Sequence, residues 1–199
     1  MADIPIIAIM APKGGVGKTA LTISLAAQAA LVAQRRVRVV DADTQADSLE
    51  RLIPHVPLSQ RESGTIHART AIPGVEVVWA TTEGELDAAL IPSEGLDVIL
   101  VDGRPSEGAG VAVAARARVV IVPILDGDRS SYHHAAVFER DLRAARPDIR
   151  VIYALIRGRG RVYGPDAPPI QLLDDPAVEA WAWPYVQSPV WRELEEALR

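Results

Sequence analysis

The sequence contains no cysteine. Disulfides within the chain, thiolate zinc sites and iron–sulfur clusters held by its own side chains are therefore excluded. Aromatic residues are scarce, with one phenylalanine, four tyrosines and four tryptophans, so a core must be assembled from Ala, Val, Leu and Ile. Lysine is scarcer than any other charged residue. Of 21 cationic residues only Lys13 and Lys18 are lysine, and the other nineteen are arginine. The four histidines, His55, His67, His133 and His134, form no i,i+4 pair and show no metal-ligand spacing, which leaves them as solvated or locally bonded side chains. No uncharged apolar run approaches the roughly eighteen residues that suggest a membrane-crossing helix. The amino terminus carries Asp3 rather than a basic cluster, so no signal peptide is expected and a cytoplasmic protein is. A net charge of −5 argues against a uniformly basic nucleic-acid coat and leaves room only for a local basic patch. At 199 residues, 49% of them hydrophobic, the chain is expected to form one domain spanning 1–199.

What is present is organised around Lys13-Gly14-Gly15-Val16-Gly17-Lys18-Thr19. An apolar run from Ile4 to Met10 precedes it and a helical run begins at Lys18 and extends to about Gln34. Strand, glycine-rich loop and helix together make a phosphate-binding loop physically sensible. The glycines let the backbone curl so that successive N–H groups face phosphate oxygens, and the helix start at Gly17-Lys18-Thr19-Ala20 adds its unpaired N–H groups and positive dipole end. In such a loop Lys18 serves the β- and γ-phosphates and the Thr19 hydroxyl serves Mg2+. Keeping lysine at these two positions in an arginine-rich chain suits a phosphate cradle, where a compact ammonium fits better than a planar fork.

Apolar strands recur along the chain: Val37–Val40, Val75–Trp79, 97–102 and Val119–Leu125, then Val151–Ile156. Helical runs alternate with them at 45–52, 83–90, 108–117 and 132–146. Nearly continuous apolar strands between helices predict an α/β fold, a mainly parallel twisted sheet with helices on both faces. The ligand of such a sheet sits at the strands' carboxyl ends. There the second strand runs into Asp41-Ala42-Asp43 and the strand 97–102 ends in Asp102. Asp102 has the Walker B form and is expected to hold Mg2+, directly or through water. Asp43 is placed to act on nucleotide or metal; a simple cap on the following helix is the alternative. Asp41 reads equally well either way.

The K-G-G-x-G-K-T loop, in which Pro12 replaces the usual first glycine, resembles the deviant Walker A loop of the ParA/MinD family of ATPases. Asp41-Ala42-Asp43-Thr44-Gln45 resembles that family's D-x-D-P-Q, and Asp102-Gly103-Arg104-Pro105-Ser106 its D-x-P-P-S turn. The resemblance implies a weakly hydrolysing ATPase that binds Mg-ATP and dimerises on it, with Lys13 reaching the partner's nucleotide and Asp43 orienting water or the Mg2+ shell. The length and the order of motifs are most similar to small ParA-type partition proteins. Those features imply non-specific DNA binding, a ParB-like adaptor that stimulates hydrolysis, and a cytoplasmic, nucleoid-associated location. Lys13, Lys18 and Asp43 are thus the expected catalytic residues. Lys13, Gly14, Gly15, Val16, Gly17, Lys18, Thr19 and Ala20 are the expected nucleotide contacts, with Thr19, Asp43 and Asp102 the expected metal set.

The only basic concentration comprises Arg140, Arg143, Arg146, Arg150, Arg157, Arg159 and Arg161. It is a candidate DNA surface, because phosphate contacts supply most non-specific affinity. A solvated face balanced by Glu139 and Asp141 accounts for it equally well, and Gly158-Arg159-Gly160 also falls where the family places a loop near the adenine. Two rival functions share the fold: a MinD-like membrane-positioning ATPase, and a biosynthetic ligase similar to dethiobiotin or cobyrinate synthetases. At the carboxy-terminal helix expected at Val190–Leu198, Glu193, Glu195 and Glu196 outnumber Arg192 and Arg199, a charge that anionic lipid repels, so no membrane partner is expected.

Overall fold

Segments rich in Val, Ile and Leu become the strands in the middle of one sheet. The structure, a computed structural model, describes residues 4–43, 47–103, 113–125, 127–156 and 170–171. Strand β1 is Ile6–Met10, β2 Val37–Ala42, β3 Ile66–His67, β4 Val75–Trp79, β5 Val98–Gly103, β6 Val119–Leu125, β7 Arg150–Ile156 and β8 Ile170–Gln171. They form one eight-stranded sheet in the order β3-β4-β2-β5-β1-β6-β7-β8. Every pairing is parallel except β3 with β4. Strands β2 and β5 are buried along their whole length, as strands covered on both faces must be.

Alternate residues of each strand enter two separate cores. Ile7, Ile9, Val39, Leu100 and Ile121 face helix α1 (Lys18–Ala27) and helix α2 (Asp47–Leu52). Ala8, Met10, Val40, Val101 and Val120 face helix α3 (Glu83–Ala89) and helix α4 (Arg129–Ala145). Thr82 caps α3 in a reciprocal capping box with Glu85, which satisfies two donors at the helix start. Residues 113–116 are also helical.

Several boundaries move for identifiable reasons. The α-helix expected to reach Gln34 gives way at Gln28–Val32 to a wider π turn, and Gln34 then adopts a positive φ of 53°. Arg35 and Arg36 consequently lie beyond the helix rather than in its last turn. The backbone N–H of Arg36 donates to Asp97 (2.8 Å), and its guanidinium donates to the Glu94 carbonyl (3.2 Å). Helix α4 starts at Arg129, before the expected Tyr132, because Asp128 accepts the Ser130 N–H and caps it there. Strand β8 adds to β7 in parallel. The segments 180–185 and 190–198 fall outside the described residues, as do most of the helix expected at 108–117 and Arg104.

Among the described residues one cation is buried within the sheet. Arg38 of β2 is buried, donating to Glu76 of β4 (2.6 Å), to the Ala89 and Ile91 carbonyls (2.9 and 2.7 Å) and to Ser93 (3.1 Å). It thereby occupies carbonyls that the end of α3 leaves without helical partners.

Candidate nucleotide site

Four connections that follow adjacent parallel strands converge at one edge of the sheet. They are the glycine loop after β1, the Asp43 turn after β2, the end of β5 at Asp102, and the Asp128 turn after β6. The order of these strands, β2-β5-β1-β6, puts β1 where the chain reverses its direction of building, the place where α/β sheets open a crevice.

The loop is shaped by its glycines. Gly15 and Gly17 take φ of +75° and +85°, values that cost a residue with a Cβ. A Cβ on Gly14 or Gly15 would meet nothing within 4 Å, so the backbone there borders open space. Gly17 is the N-cap of α1, and no side chain caps that helix. The first-turn N–H groups, including those of Lys18, Thr19 and Ala20, are thus left for a ligand rather than for the protein. Val16 is buried and anchors the loop from below.

The two lysines have different surroundings. The Lys18 ammonium lies 2.5 Å from Asp102 Oδ1 and 3.2 Å from Asp43 Oδ2, with side-chain exposures of 11%, 0% and 3% for Lys18, Asp102 and Asp43. Burial works against the ammonium, but Asp102 and then Asp43 outweigh it and raise its pKa above the ordinary value. Lys13 pairs with Asp128, and its side chain is 39% exposed at the rim. The same Asp128 carboxylate caps α4, and its pKa is held below the usual range chiefly by the Lys13 hydrogen bond.

The acids are held from behind. Ser48 donates to Asp102 Oδ2 at 2.5 Å. Asp41, wholly buried, accepts the N–H groups of Asp43 (3.1 Å) and Leu49 (2.8 Å). Burial, reinforced by the nearby Asp102 charge, pushes the Asp41 carboxyl up to about 7. Trp79 donates its indole N–H to the Asp43 carbonyl at 3.0 Å.

These residues fit Mg-ATP by the chemistry of their donors. Open backbone N–H groups and Lys18 suit phosphate, and Thr19 with Asp102 and Asp43 suits Mg2+. Among the described residues no group of three or more His, Cys, Asp or Glu side chains could hold a metal unaided. Mg2+ is ordinarily bound through one or two carboxylates together with substrate phosphates.

The family described as the CobQ/CobB/MinD/ParA nucleotide binding domain matches residues 7–152, a stretch that contains the loop, both acids and Asp128. The chain belongs to this family. Its members bind nucleotide through this fold, and membership implies ATP binding and hydrolysis here. No curated protein matches the sequence. Among solved structures, a plasmid partition protein from Borrelia burgdorferi superposes with a TM-score of 0.70 at 16% identity, over 98% of this chain and 96% of that one. A putative plasmid partition protein of the same organism, bound to AMPPNP, gives 0.66 at 18% identity over 98% and 97%. The apo McdA of Cyanthece gives 0.69 at 15% identity over 99% and 100%. These likenesses establish a shared fold with these proteins over nearly the whole chain.

The structure brings Lys18 into contact with Asp43 and Asp102, and puts Lys13 beside Asp128 at the start of α4. Asp128, Ser48 and Trp79 were not singled out as site residues by sequence reasoning. Asp128 was legible only as a helix cap. In the basic cluster, Arg140 pairs with the adjacent Asp141 at the surface. Arg143 donates to Glu139 and to the Ile149 carbonyl. Arg146 donates to the Ala115 and Ala117 carbonyls and to Asp148. Arg143 and Arg146 are thus engaged in tying α4 to its surroundings, while Arg157, Arg159 and Arg161 lie outside the described residues. Among the described residues no helix is long and apolar enough to cross a membrane.

Proposed function

We propose that this chain is an ATP-driven partition switch of the ParA type. The observation that carries the reading is the division between its two lysines. Lys18 is enclosed with the site's own carboxylates, whereas Lys13 stands at the rim, partly exposed. A rim lysine on a surface-held ion pair has little to lose by exchanging its partner, and the exchange proposed is with the nucleotide phosphates of a second copy.

In this reading ATP enters at the uncapped start of α1, and Lys18 leaves Asp43 and Asp102 for the β- and γ-phosphates. Mg2+ bound with the nucleotide supplies charge that offsets both the phosphates and the acids Lys18 has left. Thr19 and Asp102 would hold it, with Asp43 positioned to orient the attacking water. Lys13 leaves Asp128 and bridges to the partner, closing a sandwich dimer. That dimer binds DNA through arginines of the 140–161 stretch, where Arg140 has only an exposed neighbour to give up. An adaptor protein of the ParB kind accelerates hydrolysis, and the dimer dissolves.

The test is binding to random-sequence duplex DNA with ATP, ADP or no nucleotide across a salt series. Binding confined to ATP and weakening steeply with salt supports a switch acting through phosphate contacts. Lys13→Ala should abolish ATP-dependent dimerisation and DNA binding while leaving monomer ATP binding largely intact. DNA binding under no nucleotide condition, or dimerisation that survives Lys13→Ala, refutes the reading.

A further inference from the structure

Asp43 stands one residue beyond the end of β2, so no strand ladder fixes its peptide. Two side chains do so instead. Asp41 Oδ1 accepts the Asp43 N–H at 3.1 Å, and the Trp79 indole donates to the Asp43 carbonyl at 3.0 Å. The peptide polar groups on both sides of the Asp43 Cα are therefore anchored, which restricts the direction its side chain can take. That direction is toward Lys18, 3.2 Å away, and the glycine loop.

The two anchors are themselves fixed. Asp41 and Trp79 are register partners on β2 and β4, and the Ala80 N–H closes on the Asp41 carbonyl at 2.9 Å. The second Asp41 oxygen accepts the Leu49 N–H, so one carboxylate spans from the Asp43 turn into α2. A wholly buried carboxylate is an expensive way to stabilise a fold. Its distinctive capacity here is to offer an oxygen to each of two backbone N–H groups at once, which an amide side chain, with a single oxygen, cannot reproduce.

We infer that Asp41 and Trp79 are positioning residues that clamp the Asp43 peptide and so aim its carboxylate at the phosphate site; the role in turnover rests on the ATPase reading above. Trp79 is the more informative handle, because Trp79→Phe keeps an aromatic ring at its half-buried place while removing the donor, and the Asp43→Asn background separates the lost donor from lost packing.

The decisive experiment is a double-mutant cycle with a parallel exchange measurement. Trp79→Phe should lower kcat for ATP hydrolysis about tenfold, within the range that a misplacement below one ångström costs, and leave the KM for ATP within about twofold. On the residual turnover of Asp43→Asn the same substitution should cost nothing further, because its effect passes through the missing carboxylate. Amide hydrogen exchange, measured without nucleotide, should quicken at Asp43 in Trp79→Phe, and at Asp43 and Leu49 in Asp41→Asn. Losses that multiply in the Asp43→Asn background, or unchanged kcat, overturn the clamp. If the wild-type chain hydrolyses no ATP, the ATPase reading fails while the exchange measurement still decides. Unchanged exchange at Asp43 in Trp79→Phe then overturns the clamp by itself.

Discussion

Replacing Lys18 with methionine should destabilise the nucleotide-free protein as well as remove its phosphate ligand. The ammonium lies 2.5 Å from Asp102 and 3.2 Å from Asp43, and all three side chains are at least 89% buried. At an effective dielectric of about 20, a unit charge pair about 3 Å apart is worth about 5 kcal/mol. Removing one partner of a buried pair leaves the other uncompensated and costs about 3–5 kcal/mol. For a chain of this size that is a fall in Tm of about 6–20 °C. The pH dependence provides a second signature. Because the Lys18 pKa is raised, its stabilisation is complete at neutral pH and fades only as pH rises beyond the ordinary lysine range. Lys18→Met lacks that ammonium, so its deficit against the parent should shrink as pH rises through and beyond the ordinary lysine range. Circular dichroism melts of both proteins without nucleotide, across that range, make the measurement. Lys18→Met/Asp102→Asn should regain much of the loss. A Lys18→Met melt within about 2 °C of the parent at neutral pH would refute the reasoning.

Asp128→Asn keeps an N-cap of similar quality and removes the charge that holds Lys13. ATP-dependent dimerisation, followed by light scattering, should then occur at lower ATP concentration, and an unchanged threshold counts against competition for Lys13. Gly17→Ala forces a Cβ onto a φ of +85° and to 3.2 Å from Ile156. It should cost roughly 1–2 kcal/mol from the left-handed backbone alone, read by urea unfolding, and abolish binding of a fluorescent ATP analogue. Glu85 is held at a pKa of about 2, chiefly by hydrogen bonds from Ser63 and Thr81. Its contribution is therefore present above the ordinary carboxyl range and lost as pH falls toward 2. Glu85→Gln should weaken the fold by about 1 kcal/mol at neutral pH, and the difference from wild type should shrink as the solution is acidified.

The legible parts of this protein were those whose cause is local. Strands β4 and β6 were placed at Val75–Trp79 and Val119–Leu125 with their observed limits, because β6 is an unbroken apolar run, β4 is one interrupted only by Glu76, and nearby turn residues end both. The glycine loop was legible because its chemistry needs a few residue types at fixed spacing. Asp128 and Trp79 were not, since their partners lie 115 and 36 residues away and nothing in the intervening sequence marks the pairing. The π turn at Gln28–Val32 was missed because an apolar helical face does not reveal which carbonyl each N–H selects. Arg38 carried a signal that could have been used: a lone cation inside Val37-Arg38-Val39-Val40 needs several buried acceptors, and β4 with the end of α3 supplies them. In the basic cluster, charge spacing could not tell a free arginine from one folded back on carbonyls, as Arg146 is.

The carboxylates that enclose Lys18 also set a limit on how tightly nucleotide can be held. Phosphate must outbid acids already in contact with the same ammonium, so part of the intrinsic attraction is spent on displacement and never appears as affinity. A site built this way gives up tight binding in exchange for ready release. After each turnover the protein's own acids can recapture the lysine and help expel the product. In the proposed cycle that recapture favours exchange over retention, a property that a permanently open phosphate cradle would lack.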